Sequence, residues 1–355
     1  MSQIKNSYPD RGFVLIAVLV LLVVLSLLAG TVALVAERAV AEARQDIEAF
    51  EGELDMLGTR DTLLFMLATQ RMTLAGLTVD EQVNAAVVPV DEDFEGLAVL
   101  PVGNEIRLDG LPYAGLGQAH FSLQDGRGLL NPNFAPPAMR IAFFQSLGAD
   151  VVHQGDLEAR RLDYQDPDEL TRLGGAEAPQ YREAGMPPPT NRAIATPLEF
   201  RRILGWGELL APYEDEYLLR MLTADRTFVL NVNSAPTEVL ALFPGVDTDT
   251  ARRIETLRRA TPFTSMAQVR QFLPLAGDDG DSLTLFSGTA GNLVVWDGRS
   301  GPRRLFHWTL TPYHDGGRPW RIDYEVTLPR GNTPDQGVVA SPASSLFSAE
   351  GPTGG

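Results

Sequence analysis

From Phe13 to Ala36 the chain carries no charged residue, and that run limits what the rest can become. It lies within RGFVLIAVLVLLVVLSLLAG, which opens at Arg11. A helix rises about 1.5 Å per residue, so this run crosses a hydrocarbon core of about 30 Å with a little to spare. Lys5 and Arg11 precede it, which keeps the short N-terminus cytoplasmic. Glu37 and Arg38, then Glu42 and Arg44, follow with balanced charge, so everything after them belongs on the far side. A cleaved signal peptide is the competing reading. It has a shorter apolar core and small residues at its C-terminal end. Here helix formers continue without proline from Ala36 to Met72, so the membrane helix is expected to run on as a long amphipathic one.

Composition narrows the function. The formal net charge is −17, with 46 acids against 29 Lys and Arg. Such a balance argues against a polyanion as main partner and suits a cation such as calcium, or simply solubility. There is no cysteine, which removes thiolate chemistry, disulfides and most structural zinc sites. His120, His153, His307 and His314 share no metal-ligand spacing and read as surface or strand-face residues. No Ser-His-Asp order comes with a nucleophile elbow, and no phosphate loop appears. GLGQAH near Gly115 lacks the full dinucleotide fingerprint, and Asp278, Asp279 and Asp281 read as a loop.

Past the long helix, EIRLDG from Glu105 and AHFSLQDGRG from Ala119 alternate as strands do. Asp125 to Phe134 is rich in turn residues. The pattern is then helical to about Gly288, with loops of Pro, Gly and Asp. Strands return in NLVVWDG, RLFHWTLTPY and WRIDYEVTL. In the last, Trp320, Ile322, Tyr324, Val326 and Leu328 share one face, as in a half-buried strand. The class is therefore α+β: a long N-terminal helix on a sheet, with a large all-α domain inserted between strands. The tail from Arg330 to Gly355 is rich in Gly, Pro and Ser, and its composition predicts disorder.

The inserted block holds a weak repeat, TPLEFRRIL from Thr196 and SMAQVRQFL from Ser265. Thr196 with Glu199, and Ser265 with Gln268, have capping-box spacing. Phe200, Ile203 and Leu204, or Val269, Phe272 and Leu273, follow as an inward stripe. Between them lies a helix-hairpin-helix-like unit. Asn233 or Ser234 is placed to cap a helix through Leu242, Pro244-Gly245 to turn, and Asp247 or Asp249 to start the next helix. Carboxylates at that hairpin repel phosphate, and Arg252, Arg253, Arg258 and Arg259 read as a solvated face. Asp163, Asp166, Asp168 and Glu177 supply four carboxylates within fifteen residues. Calcium takes six to eight oxygens, and the intervening Gly and Pro allow tight curves. The EF-hand pattern is missing, so spacing leaves a cation site and a solvated acidic loop both open.

Arg11-Gly12-Phe13 before the apolar run resembles the start of a type IV pilin or type II secretion pseudopilin. That resemblance implies peptidase cleavage between Gly12 and Phe13 and methylation of the new N-terminus. Most members carry glutamate five residues into the mature chain, where this sequence has Ala17. The chain is similar in particular to the K-type minor pseudopilins of the general secretion pathway, which usually lack that acid and carry a large helical insertion. LLNPNF, with Asn131 and Asn133, looks like the family's Asn-x-Asn stretch. DYQDPDE from Asp163 looks like its acidic run, with Tyr164 for Trp and Pro167 ahead of Asp168. GGAE at Gly174 to Glu177, Tyr181, and PTNR at Pro189 to Arg192 follow in the family's order. The likeness spans Arg11 to about Leu328.

The resemblance implies a pilin-like fold with a SAM-like or helix-hairpin-helix-like insertion. Its expected parts are a leader at 1–12, a membrane helix at 13–36, a pilin-like part at 37–130, an inserted domain at 131–288, closing strands at 289–329 and the tail. It implies a non-enzymatic tip subunit of the pseudopilus, single-pass in a bacterial inner membrane with its bulk periplasmic. Other minor pseudopilins, of I and J type, and the prepilin peptidase are its implied partners, and nucleic acid is not expected. A structural calcium ion at Asp163, Asp166, Asp168 and Glu177 is implied too. Two other readings are a membrane-tethered helix-hairpin-helix DNA binder of a DNA-uptake system and a signal-anchored periplasmic enzyme.

Overall fold

The computed structural model describes residues 11–79, 99–226, 228–273, 282–299, 301–312 and 317–329, with 344, 346 and 347. For residues 11–13 it describes the backbone alone. Most of the leader, His314, the acidic run at Asp278, Asp279 and Asp281, and most of the tail lie outside these residues. The chain divides into two compact units, Met1–Leu54 and Asp55–Gly355. Helix α1, Arg11–Thr69, is 59 residues long and enters both.

In the first unit every residue from Val14 to Glu51 is exposed. Its uncharged part, Val14 to Ala36, is so apolar and so uncovered that it suits lipid as solvent, and the helix fits a single membrane crossing.

In the second unit the last turns of α1 are amphipathic. Thr59, Leu63, Leu64, Met66 and Leu67 turn inward onto a sheet of five antiparallel strands. These are β1 (Asp109–Ala114), β2 (Ala119–Asp125), β5 (Ala290–Asp297), β6 (Arg303–Leu310) and β7 (Trp320–Leu328), in the order β1-β2-β5-β6-β7. Phe121 and Leu123 of β2, Leu293 and Val295 of β5, and Phe306 and Trp308 of β6 fill the layer beneath α1. Phe347 joins them, its ring stacked on Phe121 with centroids 5.7 Å apart. The β1–β2 turn is latched to α1: Leu116 N–H donates to Thr59 Oγ1 at 2.9 Å, and Gln118 N–H to Asp55 Oδ2 at 2.9 Å. Gly117 sits at φ +53, where any Cβ would collide with the Asp55 carboxylate.

The strand expected from Glu105 is displaced. Ile106 makes only an isolated bridge to Leu77, and β1 begins at Asp109. Glu105 is committed to a turn, where its carboxylate accepts from Val102 N–H, Gly103 N–H and Thr73 Oγ1. β7 is an edge strand. Of its five expected inward residues, Leu328 is buried, Trp320, Tyr324 and Val326 are half-buried, and Ile322 is exposed.

Between β2 and β5 runs the helical insertion: α2 (Pro137–Ser146), α3 (Gln154–Gln165), α4 (Ala178–Glu183), α5 (Trp206–Leu210), α6 (Asp215–Met221), α7 (Thr237–Leu240), α8 (Thr248–Ala260) and α9 (Met266–Val269). It also carries a short parallel pair, β3 (Leu230–Asn231) and β4 (Leu283–Thr284). Its core gathers around Trp206, stacked on Phe200 and edge-on to Phe144, with Nε1–H donating to Leu157 O at 2.9 Å.

The repeat holds in packing and differs in capping. Phe200, Ile203, Val269 and Leu273 are buried. Ser265 and Gln268 form the full capping box. Thr196 makes no side-chain cap, and Glu199 accepts from Ala195 N–H and Tyr164 Oη instead. The second helix of the hairpin unit starts as expected, with Asp247 accepting from Thr250 N–H at 2.8 Å. The first does not. Its N-cap is Pro236. Asn233 is spent on Leu74 O and on Phe263 O and N–H, and Ser234 Oγ donates to Asp125.

Arg258 is not on a solvated face. It is buried, and its Nη1 donates to Val232 O at 2.7 Å and Ala235 O at 2.6 Å. Burial pulls its pKa down to about 10, against the pull of Asp109 and Glu255. The charge is retained to tie down two loop carbonyls that have no strand or helix partner.

Candidate metal centre

Helix α3 delivers two carboxylates to one place. Asp163 lies in its last turn and Asp166 is its C-cap. The C-terminus of a helix already carries partial negative charge, and this last turn holds no basic residue. Glu177 is the N-cap of α4 and brings a third carboxylate from the other side of the loop. Asp168 supplies a fourth.

Asp166, Asp168 and Glu177 each offer an oxygen, and those oxygens all lie within 4.8 Å of one another. Asp163 is not one of this trio and is paired with Arg172. Its Oδ1 accepts from Arg172 Nη1 at 2.6 Å, and its Oδ2 from Arg172 N–H at 3.1 Å. The loop folds tightly over it: a Cβ on Gly175 would stand 1.9 Å from Asp163 Oδ2. The same Nη1 of Arg172 also donates to Asp166 Oδ2. Asp168 is exposed and accepts from Leu170 N–H at 2.8 Å.

Glu177 decides the chemistry. It is 1 % exposed. Gln180 Oε1 accepts from its N–H at 3.0 Å. Its carboxylate looks back toward α4 as in a capping box, yet neither oxygen makes a hydrogen bond of normal geometry. Burial, and then the charges of Asp163, Asp166, Glu169 and Asp168, push its pKa up to about 7. Asp166 Oδ1 is likewise buried without a partner. So is Asn191 Oδ1, whose Nδ2 donates to Asp168 O and Glu169 Oε1 and whose backbone sits at φ +50. Each such orphan costs about 1–3 kcal/mol. All are acceptors and all are oxygens. Water or a hard divalent cation satisfies such a set, and the carboxylate majority favours the cation. The cluster can hold a metal ion.

Arg172 and Asn191 were not singled out by the spacing argument. Asn191 lies in the PTNR run, and Arg172 stands alone between acids; neither pattern is specific without the fold. Tyr164 is buried, donates to Glu199, and lies 6.2 Å from the Tyr181 ring. Gly12, Phe13 and Ala17 lie in the first turns of α1 in the other unit.

No protein-family model matches the chain, and no curated protein matches it. Among solved structures, it is similar to a chain in the crystal structure of the GspK-GspI-GspJ complex of the type 2 secretion system from enterotoxigenic Escherichia coli. The likeness has a TM-score of 0.42 and 16% sequence identity, and covers 61% of this chain and 83% of that one.

Proposed function

We propose that this chain is a K-type minor pseudopilin: an inner-membrane subunit that caps the tip of a type II secretion pseudopilus. The observation that carries the reading is one combination of parts. An exposed apolar helix continues into turns that pack on an antiparallel sheet, and that sheet is interrupted once, between β2 and β5, by a helical block.

The proposed mechanism is assembly, with no catalytic step. Cleavage after Gly12 would leave Phe13 as the N-terminus. In a filament the family's usual glutamate pairs with the N-terminal ammonium of the next subunit. A subunit with nothing above it would strand that charge, at a cost of several kcal/mol. Ala17 avoids the cost, and the bulk of the insertion adds steric exclusion. The partners in this reading are I- and J-type minor pseudopilins, engaged through N-terminal helices, and the prepilin peptidase. The helix-hairpin-helix-like unit serves packing. Its hairpin presents Asp247, and Arg258 points inward, so neither offers phosphate a binding surface.

Asp166, Asp168 and Glu177 would hold calcium, whose positive charge offsets the carboxylates gathered at the end of α3. Asp163 would support the loop around them.

Mass spectrometry of the N-terminal peptide from the membrane fraction tests the reading. A chain beginning at methylated Phe13 is expected. An uncleaved N-terminus, or cleavage beyond the apolar run, would overturn it.

A further inference from the structure

The contact that stands out in the acidic loop is the one made by Arg172. Its Nη1 bridges Asp163 Oδ1 and Asp166 Oδ2, so the chain places its own positive charge against oxygens that border the trio. We propose that Arg172 is a resident counter-cation, which a divalent ion must displace, so that ion binding exchanges one cation for another. The proposal rests on the reading of Asp166, Asp168 and Glu177 as a cation site.

Four observations carry it. First, Asp166 is shared: one oxygen takes Arg172 and the other, buried, has no partner. A guanidinium and a divalent ion on the same carboxylate repel each other strongly at such range. Second, Arg172 leaves the job unfinished, since neither oxygen of the buried Glu177 makes a hydrogen bond of normal geometry. An ion that reaches Glu177 does what the arginine cannot. Third, the side chain of Arg172 is 42% exposed, so it has a solvated way out. Fourth, the loop survives its departure. Arg172 N–H still holds Asp163 Oδ2, so the backbone acts as the pivot and Asp163 keeps a donor.

Exchange predicts weaker ion binding than the bare oxygen set would give. Removing the guanidinium from the full chain, in detergent and stripped with chelator, should tighten binding of Ca2+ alone roughly tenfold by calorimetry. Arg172→Gln tests this, with Glu177→Gln as the variant that should abolish binding. In the wild-type chain, phenylglyoxal labelling of Arg172, read by peptide mass mapping, should rise several-fold when Ca2+ is added. Wild-type binding that Glu177→Gln abolishes and Arg172→Gln leaves unchanged or weaker overturns the exchange and spares the cation site. Absence of binding in both the wild type and Arg172→Gln overturns the site and the exchange together. If Arg172→Gln does not fold, the wild-type labelling decides: no rise with Ca2+ overturns the exchange.

Discussion

The Asp125 carboxylate accepts from the Gly288 N–H at 2.9 Å, so the chain's departure into the helical insertion and its return are joined by one hydrogen bond. The same carboxylate takes Arg127 N–H, Asn231 Nδ2 and Ser234 Oγ. Burial pushes its pKa up, while these four donors pull the other way.

Asp125→Ala would leave those buried donors without an acceptor. An unpaired buried donor costs about 1–3 kcal/mol, so the variant should lose about 3 kcal/mol or more. Urea denaturation followed by tryptophan fluorescence measures it. A loss under about 1 kcal/mol would mean that water replaces the carboxylate.

Arg258→Gln removes a buried charge and the bonds to Val232 O and Ala235 O. The expected cost is about 2–4 kcal/mol. Arg252→Gln, on the exposed part of the same helix, should change stability by less than about 0.5 kcal/mol. Equal effects of the two would contradict an inward role for Arg258.

Trp206→Ala should cost about 3–5 kcal/mol, through lost volume and the lost indole hydrogen bond to Leu157 O. Limited proteolysis should then cut first within 126–289. First cuts elsewhere would place the weak point outside the insertion.

Acid should loosen the contact between the insertion and the sheet. Burial works against the charge of Asp225. The hydrogen bond and charge of His307, 3.2 Å away, outweigh burial with help from Thr223 and hold its pKa below the usual carboxylate range. A lowered folded value stabilises fully above the unfolded pKa of about 3.9, and that stability is lost as pH falls through the folded value. The gap in urea midpoint between wild type and Asp225→Asn should therefore be widest above the unfolded pKa of about 3.9 and shrink as pH falls below it. A constant gap would show that the charge of Asp225 contributes nothing.

Ala17→Glu tests the tip reading directly. It should reduce co-purification with I- and J-type partners and slow secretion. Unchanged recovery and secretion would count against a terminal position in the filament.

The large divisions of the fold were legible because they rest on long patterns. The uncharged run before Glu37 and the alternation of Phe121 and Leu123 need only local spacing. Single contacts across the fold were not legible. Glu105 looks like a strand residue until Thr73, remote in sequence, is seen to share its turn. Arg258 looks solvated until the loop at Val232 closes over it. At the acidic loop, the residue types pointed to a cation. Only the fold separates Asp163, already paired with Arg172, from Glu177, buried with no hydrogen bond of normal geometry.

Strands β2 and β5 are antiparallel neighbours, with Asp125 registered against Gly291, although the whole helical block lies between them in sequence. The block and the sheet each have a main apolar interior of their own, and a small cluster of Leu219, Leu305 and Leu328 joins the two. In topological terms the pair is an ordinary hairpin whose connecting loop has grown into a domain. A two-residue turn in its place would keep the strand register but uncover Leu305 and Leu328 and strand Asn292 and His307, so the junction is a port at which a module is traded together with the sheet face it covers.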